Sequence, residues 1–297
     1  RHTRYWRDWS SDVCSSDLSD GDYRVLVVGD PDLVPGSDRR FRDGVAFDLV
    51  EHGRIDVEQN WSAPNPAEER IVRSLMDALA TRSTTRVGRL MAPFGIRYVV
   101  IPLVDRVRSK AGAPLPVAEG LVASFAEQLD FRAVYSPASM VVFENTEWIP
   151  TRALLGTDAA ARATEGGAAA LVRSELAGSQ PILAGSSSWS SPSQRIGGGT
   201  VHLGVPFDGR WRLRVDGRTV AGSGSFGAVM AFDAGDGGTA SLHYDEPPTR
   251  YLWVLVQVAL WAAVVLAVVQ PRRLRRRPQP AIVDAPVISL SDGEVES

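Results

Sequence analysis

Lysine is nearly missing from this sequence: Lys110 stands alone against 31 arginines. That bias describes a GC-rich coding DNA and says nothing about function. Cysteine is equally scarce, with Cys14 the only one in 297 residues, which excludes a disulfide-stapled scaffold. There is no excess of positive charge either. The formal net charge of −3 argues against a general nucleic-acid binder. Histidine amounts to four residues, so any triad chemistry has few bases to draw on. Hydrophobic residues at 44% and aromatics at 8% exclude a disordered or collagenous chain, and the length allows one large or two ordinary domains. The mean hydropathy of −0.07 is that of an ordinary soluble protein, an average that conceals the most informative segment.

Cys14 lies in DWSSDVCSSDL, Asp8 to Leu18, which resembles the codon-by-codon translation of a sequencing-library adapter. The alternative is a genuine polar Ser/Asp tail. On the adapter reading residues 1–18 are an artefact outside the fold, the remainder has no cysteine, and disulfides carry no information about redox compartment. The natural N-terminus is then expected to lie upstream.

Tyr251 to Val269 is YLWVLVQVALWAAVVLAVV, 19 residues with no charge and one internal amide, Gln257. As a helix it spans about 28 Å at 1.5 Å per residue, matching a hydrocarbon core of about 30 Å. A buried soluble helix is the competing reading, and the flanks decide against it. Tyr251 and Trp253 suit one membrane interface, while Arg272, Arg273, Arg275, Arg276 and Arg277 follow at the other. The positive-inside rule then puts the C-terminal side in the cytoplasm and residues 19–250 outside. Those residues carry 24 basic and 28 acidic side chains, so no cationic block opposes that orientation. No signal peptide is readable in residues 1–30, and an upstream signal or span is expected to supply export. The tail, residues 270–297, reads as polar, cytoplasmic and disordered.

Residues 19–156 read as a small α/β domain of about five strands and two or three helices. Strands are expected over Tyr23–Val28, Val45–Val50 and Ile96–Ile101, with a hairpin from Phe131–Tyr135 and Met140–Phe143. Asn65-Pro66-Ala67-Glu68 opens a helix with Ile71, Val72, Leu75, Met76 and Leu79 on one face. Pro116 opens another, with Leu121, Val122, Phe125 and Leu129. Residues 157–198 read as an Ala-rich helix broken at Gly166-Gly167, then a linker, GSSSWSSPSQ. From Gly199 the period becomes two: Trp211, Leu213 and Val215 alternate with Arg210, Arg212 and Arg214, and Asp216-Gly217 makes a tight turn. Residues 199–248 are therefore expected to form a membrane-proximal antiparallel β-sandwich, giving an α+β chain with one C-terminal transmembrane helix.

Candidate chemistry is sparse. His202 and His243 fall on the polar side of their alternations and are expected to face solvent; His52, in EHGRID, has no evident partner. Asp30 and Asp32 in GDPD suit either a divalent cation or, more simply, an Asx turn, and no metal site is assigned. GSGSFG (residues 222–227) and the run of glycines at 197–199 read as flexible hairpin loops, because neither has a phosphate-loop ending. Trp61, Asn60, Asn145, Trp148 and Trp211 have the makings of a sugar platform, in which rings cover apolar sugar faces and amides bond hydroxyls. Trp211 is better explained as sandwich core. Trp61, Asn145 and Trp148 stand as the glycan-binding candidates. No catalytic residue and no cofactor is assigned.

Three strings together resemble a known family: GRLMAPFGIRYVVIP (Gly88 to Pro102), VVFENTEWIPTRALL (Val141 to Leu155), and VPFDGRWRLRVDGRTV followed by SFGAVMAF. They are similar to the C-terminal extracytoplasmic region of large polytopic membrane proteins of the YfhO-like and actinobacterial membrane glycosyltransferase type. The matching positions are Gly95 to Val100, Val142 to Pro150, and Arg210-Trp211 through Val215-Asp216-Gly217. One departure is Thr151, which intervenes between Pro150 and Arg152 and leaves the equivalence of that arginine open. The resemblance implies sugar transfer from a lipid-linked or nucleotide donor in cell-envelope assembly, with the acidic catalytic residues upstream of this sequence. The partners it implies are the lipid bilayer and a lipid-linked or envelope glycan. The alternative is a membrane-anchored carbohydrate- or partner-binding module without transferase activity.

Overall fold

The computed structural model describes residues 21–34, 40–41, 44–51, 66–104, 115–134, 136–183, 190–245 and 249–274. Residues 1–18, His52, Asn60, Trp61, the start of the GSSSWSSPSQ segment and residues 275–297, with Arg275, Arg276 and Arg277, lie outside them. The chain divides into two compact units, Arg1–Asp245 and Glu246–Ser297. It is α+β, with mostly antiparallel sheets.

The first sheet is built on the apolar strand β1, Arg24–Gly29, every residue of which is buried. A strand apolar on both sides needs cover on both faces. Its neighbours are β2 (Ala46–Glu51), antiparallel, and β3 (Ile96–Pro102), parallel; β5 (Met140–Asn145) and β4 (Phe131–Val134) complete the order β2-β1-β3-β5-β4. Leu26, Val28, Phe47, Val99 and Ile101 face the helices α1 (Pro66–Ala80), α2 (Val87–Met91) and α3 (Pro116–Ala126). In α1, Val72, Leu75, Met76 and Leu79 are buried, the 3.6-residue spacing at work. Leu129, expected on the α3 face, lies beyond that helix and is exposed, because the helix ends at Ala126. Val25, Val27, Tyr98, Val100 and Val142 form a second cluster on the opposite face.

Two further sheets pack as a sandwich. One joins β11 (Arg218–Val220), β10 (Trp211–Val215), β14 (Gly237–Tyr244) and β8 (Gln194–Gly197). The other joins β12 (Gly222–Ser225), β13 (Val229–Asp233), β9 (Thr200–Pro206), β6 (Arg152–Leu154) and β7 (Gln180–Pro181). Between them lie Trp211, Leu213, Val215, Leu242, Val201, Leu203, Met230 and Phe232. The sandwich is larger than its sequence periodicity suggested. β6 pairs Ala153 with His202 across β9, so the expected boundary at residue 156 falls after the first sandwich strand. Two short helices, α4 (Thr157–Ala163) and α5 (Ala168–Arg173), replace one Ala-rich helix and break where Gly166-Gly167 was expected to break it.

The GSGSFG segment also departs from expectation. Gly222–Ser225 is an edge strand paired with β13, and Phe226 is buried against α4 and α5. Glycine there admits β13: a Cβ on Gly222 would stand 2.5 Å from Met230 Cε. The Gly198-Gly199 pair does form the turn between β8 and β9.

The second unit contains α6, Thr249–Leu274, whose Tyr251–Val268 window has a mean hydropathy of 2.3 and no buried residues, which fits a single transmembrane helix. It extends through Arg272 and Arg273, past the expected start of the tail at residue 270, since arginine is a good helix former.

A short 3₁₀ turn, Ala92–Phe94, leads into β3 and closes on Gly95 in the left-handed region, φ 70°. A Cβ on Gly95 would stand 2.3 Å from Thr151 Cγ2, where the first sheet meets β6. Gly95→Ala is therefore expected to destabilise the protein by about 2–4 kcal/mol, combining left-handed strain with overpacking. In a Thr151→Ser background, which removes the clashing methyl, the cost should fall to about 1–2 kcal/mol. Denaturant unfolding of the four variants measures both.

Candidate functional site

The carbonyls of Pro93, Phe94 and Gly95 point away from their own turn, and each needs a donor because a 3₁₀ end leaves its last C=O groups open. His202 Nε2–H donates to Pro93 O (2.9 Å), Arg24 Nη1 to Phe94 O (3.1 Å), and the Arg24 backbone N–H to Gly95 O (2.7 Å). Arg24 Nη1 also donates to the Gly204 carbonyl on β9, and its guanidinium lies 3.6 Å from Glu51 and 3.7 Å from Glu68. Nearby, Arg152 Nη1 donates to Leu183 O (3.0 Å) and stands 3.9 Å from Asp22. Burial pulls the Arg152 pKa down, opposed by Asp22 and Glu51.

His202 was expected on a solvated face and is instead fully buried. The alternation is real, but β9 is covered on both sides, so its polar face meets the 3₁₀ turn rather than water. Burial pushes the His202 pKa down to about 4; the Arg24 charge adds to this and the Pro93 bond opposes it. The imidazole is thus neutral at pH 7, its Nε2–H is committed as a donor, and its buried Nδ1 has no hydrogen-bond partner among the described residues. It is a clamp rather than a base. His243 does face solvent, 3.6 Å from Asp245.

A second polar feature lies one residue further along β3. Arg24 pairs with Ile96 but Val25 pairs with Tyr98, so Arg97 is the extra residue of a β-bulge. Bulges re-aim a side chain. The Arg97 guanidinium lies over three rings, Trp148 at 4.8 Å, Tyr98 at 5.2 Å and Tyr23 at 5.5 Å, with Glu144 at 3.8 Å. Sequence reading missed Arg97, whose one signal is a cation inside an apolar strand; the bulge that turns it has no sequence mark.

The three glycan candidates are not brought together. Asn145 is fully buried: Nδ2 donates to Gly88 O (2.9 Å) and Ile96 O (3.0 Å), and Oδ1 accepts from Glu147 N (3.1 Å). With its amide satisfied inside the fold it has nothing to offer a sugar, which corrects its assignment. Trp148 is half-buried, one side taken by Arg97. Trp61 lies outside the described residues. Trp211 is core, edge-on to Tyr244. Asp30 Oδ1 accepts from Asp32 N (3.0 Å), the Asx turn. Among the described residues no group of three or more His, Cys, Asp or Glu is placed to hold a metal ion. On α6, Tyr251 and Trp253 are exposed, as is the rest of its apolar window.

No family model, no curated protein and no solved structure matches this chain.

Two predictions follow from this geometry. His202 stays neutral in the fold down to about pH 4, whereas an unfolded chain protonates it near 6.5. Its contribution is therefore intact above pH 6.5 and is lost as the pH falls to 4, up to about 3 kcal/mol. His202→Gln, which keeps a donor for Pro93 and does not titrate, should flatten that segment of the stability profile in chemical denaturation of the detergent-solubilised chain. Asn145→Ala should cost at least about 2 kcal/mol, because it orphans two buried carbonyls, and should lower the unfolding midpoint at every pH.

Proposed function

We propose that this chain is a non-catalytic extramembrane module of a polytopic membrane glycosyltransferase that builds cell-envelope glycan, anchored by Tyr251–Val268. The observation that carries this reading is where the resembling motifs fall. Gly95, in the first motif, closes the turn that receives Arg24 and His202. Asn145, in the second, ties β5 to α2 and β3, and Arg152, which follows that motif beyond Thr151, reaches from β6 to Leu183. Trp211, in the third, fills the sandwich beside the last strand. Motifs that hold layers together fit a module that positions a glycan acceptor near the membrane while bond-making residues lie elsewhere in the polypeptide.

In this reading the arginines after the span lie on the cytoplasmic side and residues 19–250 on the outer side, by the positive-inside rule. One observation favours a second reading, a membrane-anchored carbohydrate-binding module without transferase activity: Trp148 is only half-buried, edge-on to Tyr23.

Recovering the genomic sequence upstream of Asp20 tests the proposal. Several further spans and an acidic donor-site motif are expected; a single signal sequence with no additional span overturns it. Glycan binding by the detergent-solubilised chain that disappears in Trp148→Ala would favour the second reading.

A further inference from the structure

We propose that α6 pairs in parallel with α6 of a second copy of this chain, through the face that carries Gln257 and Trp261. The inference rests on α6 spanning the bilayer and is independent of the transferase reading.

It starts from polar atoms at hydrocarbon depth. Within Tyr251–Val268 the side chains with a hydrogen-bonding group are Tyr251, Trp253, Gln257 and Trp261. Tyr251 and Trp253 begin the span, where head groups are in reach. Gln257 lies six residues beyond Tyr251, about 9 Å into the span, and Trp261 lies ten residues beyond it, about 15 Å, close to the middle. A Gln side chain is too short to carry its amide back over that distance. An indole belongs at the interface, where its N–H stays wet. Both side chains are exposed, and neither makes a side-chain hydrogen bond among the described residues. Hydrocarbon offers such groups no partner, so leaving them unpaired there costs free energy.

The two groups share a face. At about 100° per residue, Trp253, Gln257 and Trp261 fall within an arc of about 80°, and Val264 and Val268 lie inside it. The opposite side, Leu255, Ala259, Ala262 and Leu266, presents hydrocarbon alone, which lipid tails cover as well as protein does. One side of α6 therefore needs a neighbour with polar atoms and the other does not.

A second copy meets that need by construction. Identical chains inserted in one orientation hold identical residues at equal depth, and a two-fold axis along the helices brings the same face of each together. The glutamine amide has two donor hydrogens and an acceptor oxygen, so the Gln257 side chains of two copies can each donate to and accept from the other. Any other helix would need a polar group of its own at that depth. The packing pattern agrees: Trp253, Gln257, Leu260, Val264 and Ala267 follow the alternating four-and-three spacing of a left-handed helix pair, in which a single polar residue fixes the register.

The test uses the full chain in liposomes, labelled at Cys14, the sole cysteine. Single-molecule photobleaching counts the chains in each spot whatever the distance between their labels. Two-step spots should rise with the protein-to-lipid ratio. The midpoint should move to an about 3–30-fold higher ratio in Gln257→Leu, which is more apolar and still inserts. Gln257→Asn, which keeps donors and acceptor, should stay nearer the parent chain, and Ala259→Leu, on the lipid-facing side, should leave the midpoint unchanged. In a Cys14→Ser background, oxidative cross-linking in membranes of the expressing cells should trap dimers through Val264→Cys, about 20° around the helix from Gln257, and not through Ala259→Cys, about 160° away. One-step spots at every ratio, a midpoint that ignores Gln257→Leu, or equal cross-linking at 259 and 264 overturns the proposal. Chains that alkaline carbonate strips from the liposomes overturn it through its premise, the span itself.

Discussion

Three successive carbonyl groups, those of Pro93, Phe94 and Gly95, are the constraint on which the rest of this fold depends. A turn buried between two sheets has no water to satisfy its carbonyls, and an unmet buried acceptor costs about 1–3 kcal/mol. The donors come from far along the chain: Arg24 opens the first strand and His202 lies in the middle of β9. Meeting that requirement brings the polar face of β9 against the α/β layer, and so the five-stranded sandwich sheet becomes an interior layer with apolar packing on one side and a hydrogen-bonded clamp on the other.

Other features follow from that interior position. Gly204 must lack a side chain, because a Cβ there would lie 2.9 Å from Pro93 O. Arg24 must be charged and paired, since its fork serves two carbonyls and two carboxylates at once, a load that only a guanidinium can carry. His202 must stay neutral, because a protonated ring would face the Arg24 charge in a dry space. The bulge at Arg97 belongs to the same arrangement: the extra residue lets β3 pass from the junction at Ile96 to the aromatic cluster at Tyr98 without losing its ladder with β1.

Much of this architecture is legible in the sequence, and what is legible has a common cause. α1 and the β10 hairpin each bury one apolar face, and burial of that kind writes itself as periodicity, while β1 and β3 are buried on both faces and read as unbroken apolar runs. Apolar length alone likewise marks α6. His202 misleads for the opposite reason, since alternation reports that two faces differ and not that the polar one is wet. β6 and β7, three and two residues long, are too short for any period to register. Asn145 looks like a surface amide because its partners are main-chain carbonyls at Gly88 and Ile96, and main-chain partners have no residue-type signature. The clamp in which Arg210 forks onto Asp208 and the Tyr244 hydroxyl donates to the same carboxylate spans thirty-odd positions and is equally invisible before folding.

That clamp also has a mechanical meaning. β14, the strand nearest in sequence to α6, is hydrogen-bonded on both sides, to β10 and to β8. Removing it from the sheet would break both ladders. Tyr244, stapled to Asp208 and packed on Trp211, is the last residue of that strand. The last residue of β14 is therefore fixed by side chains as well as by its ladder, where a strand end held by main-chain pairing alone would fray.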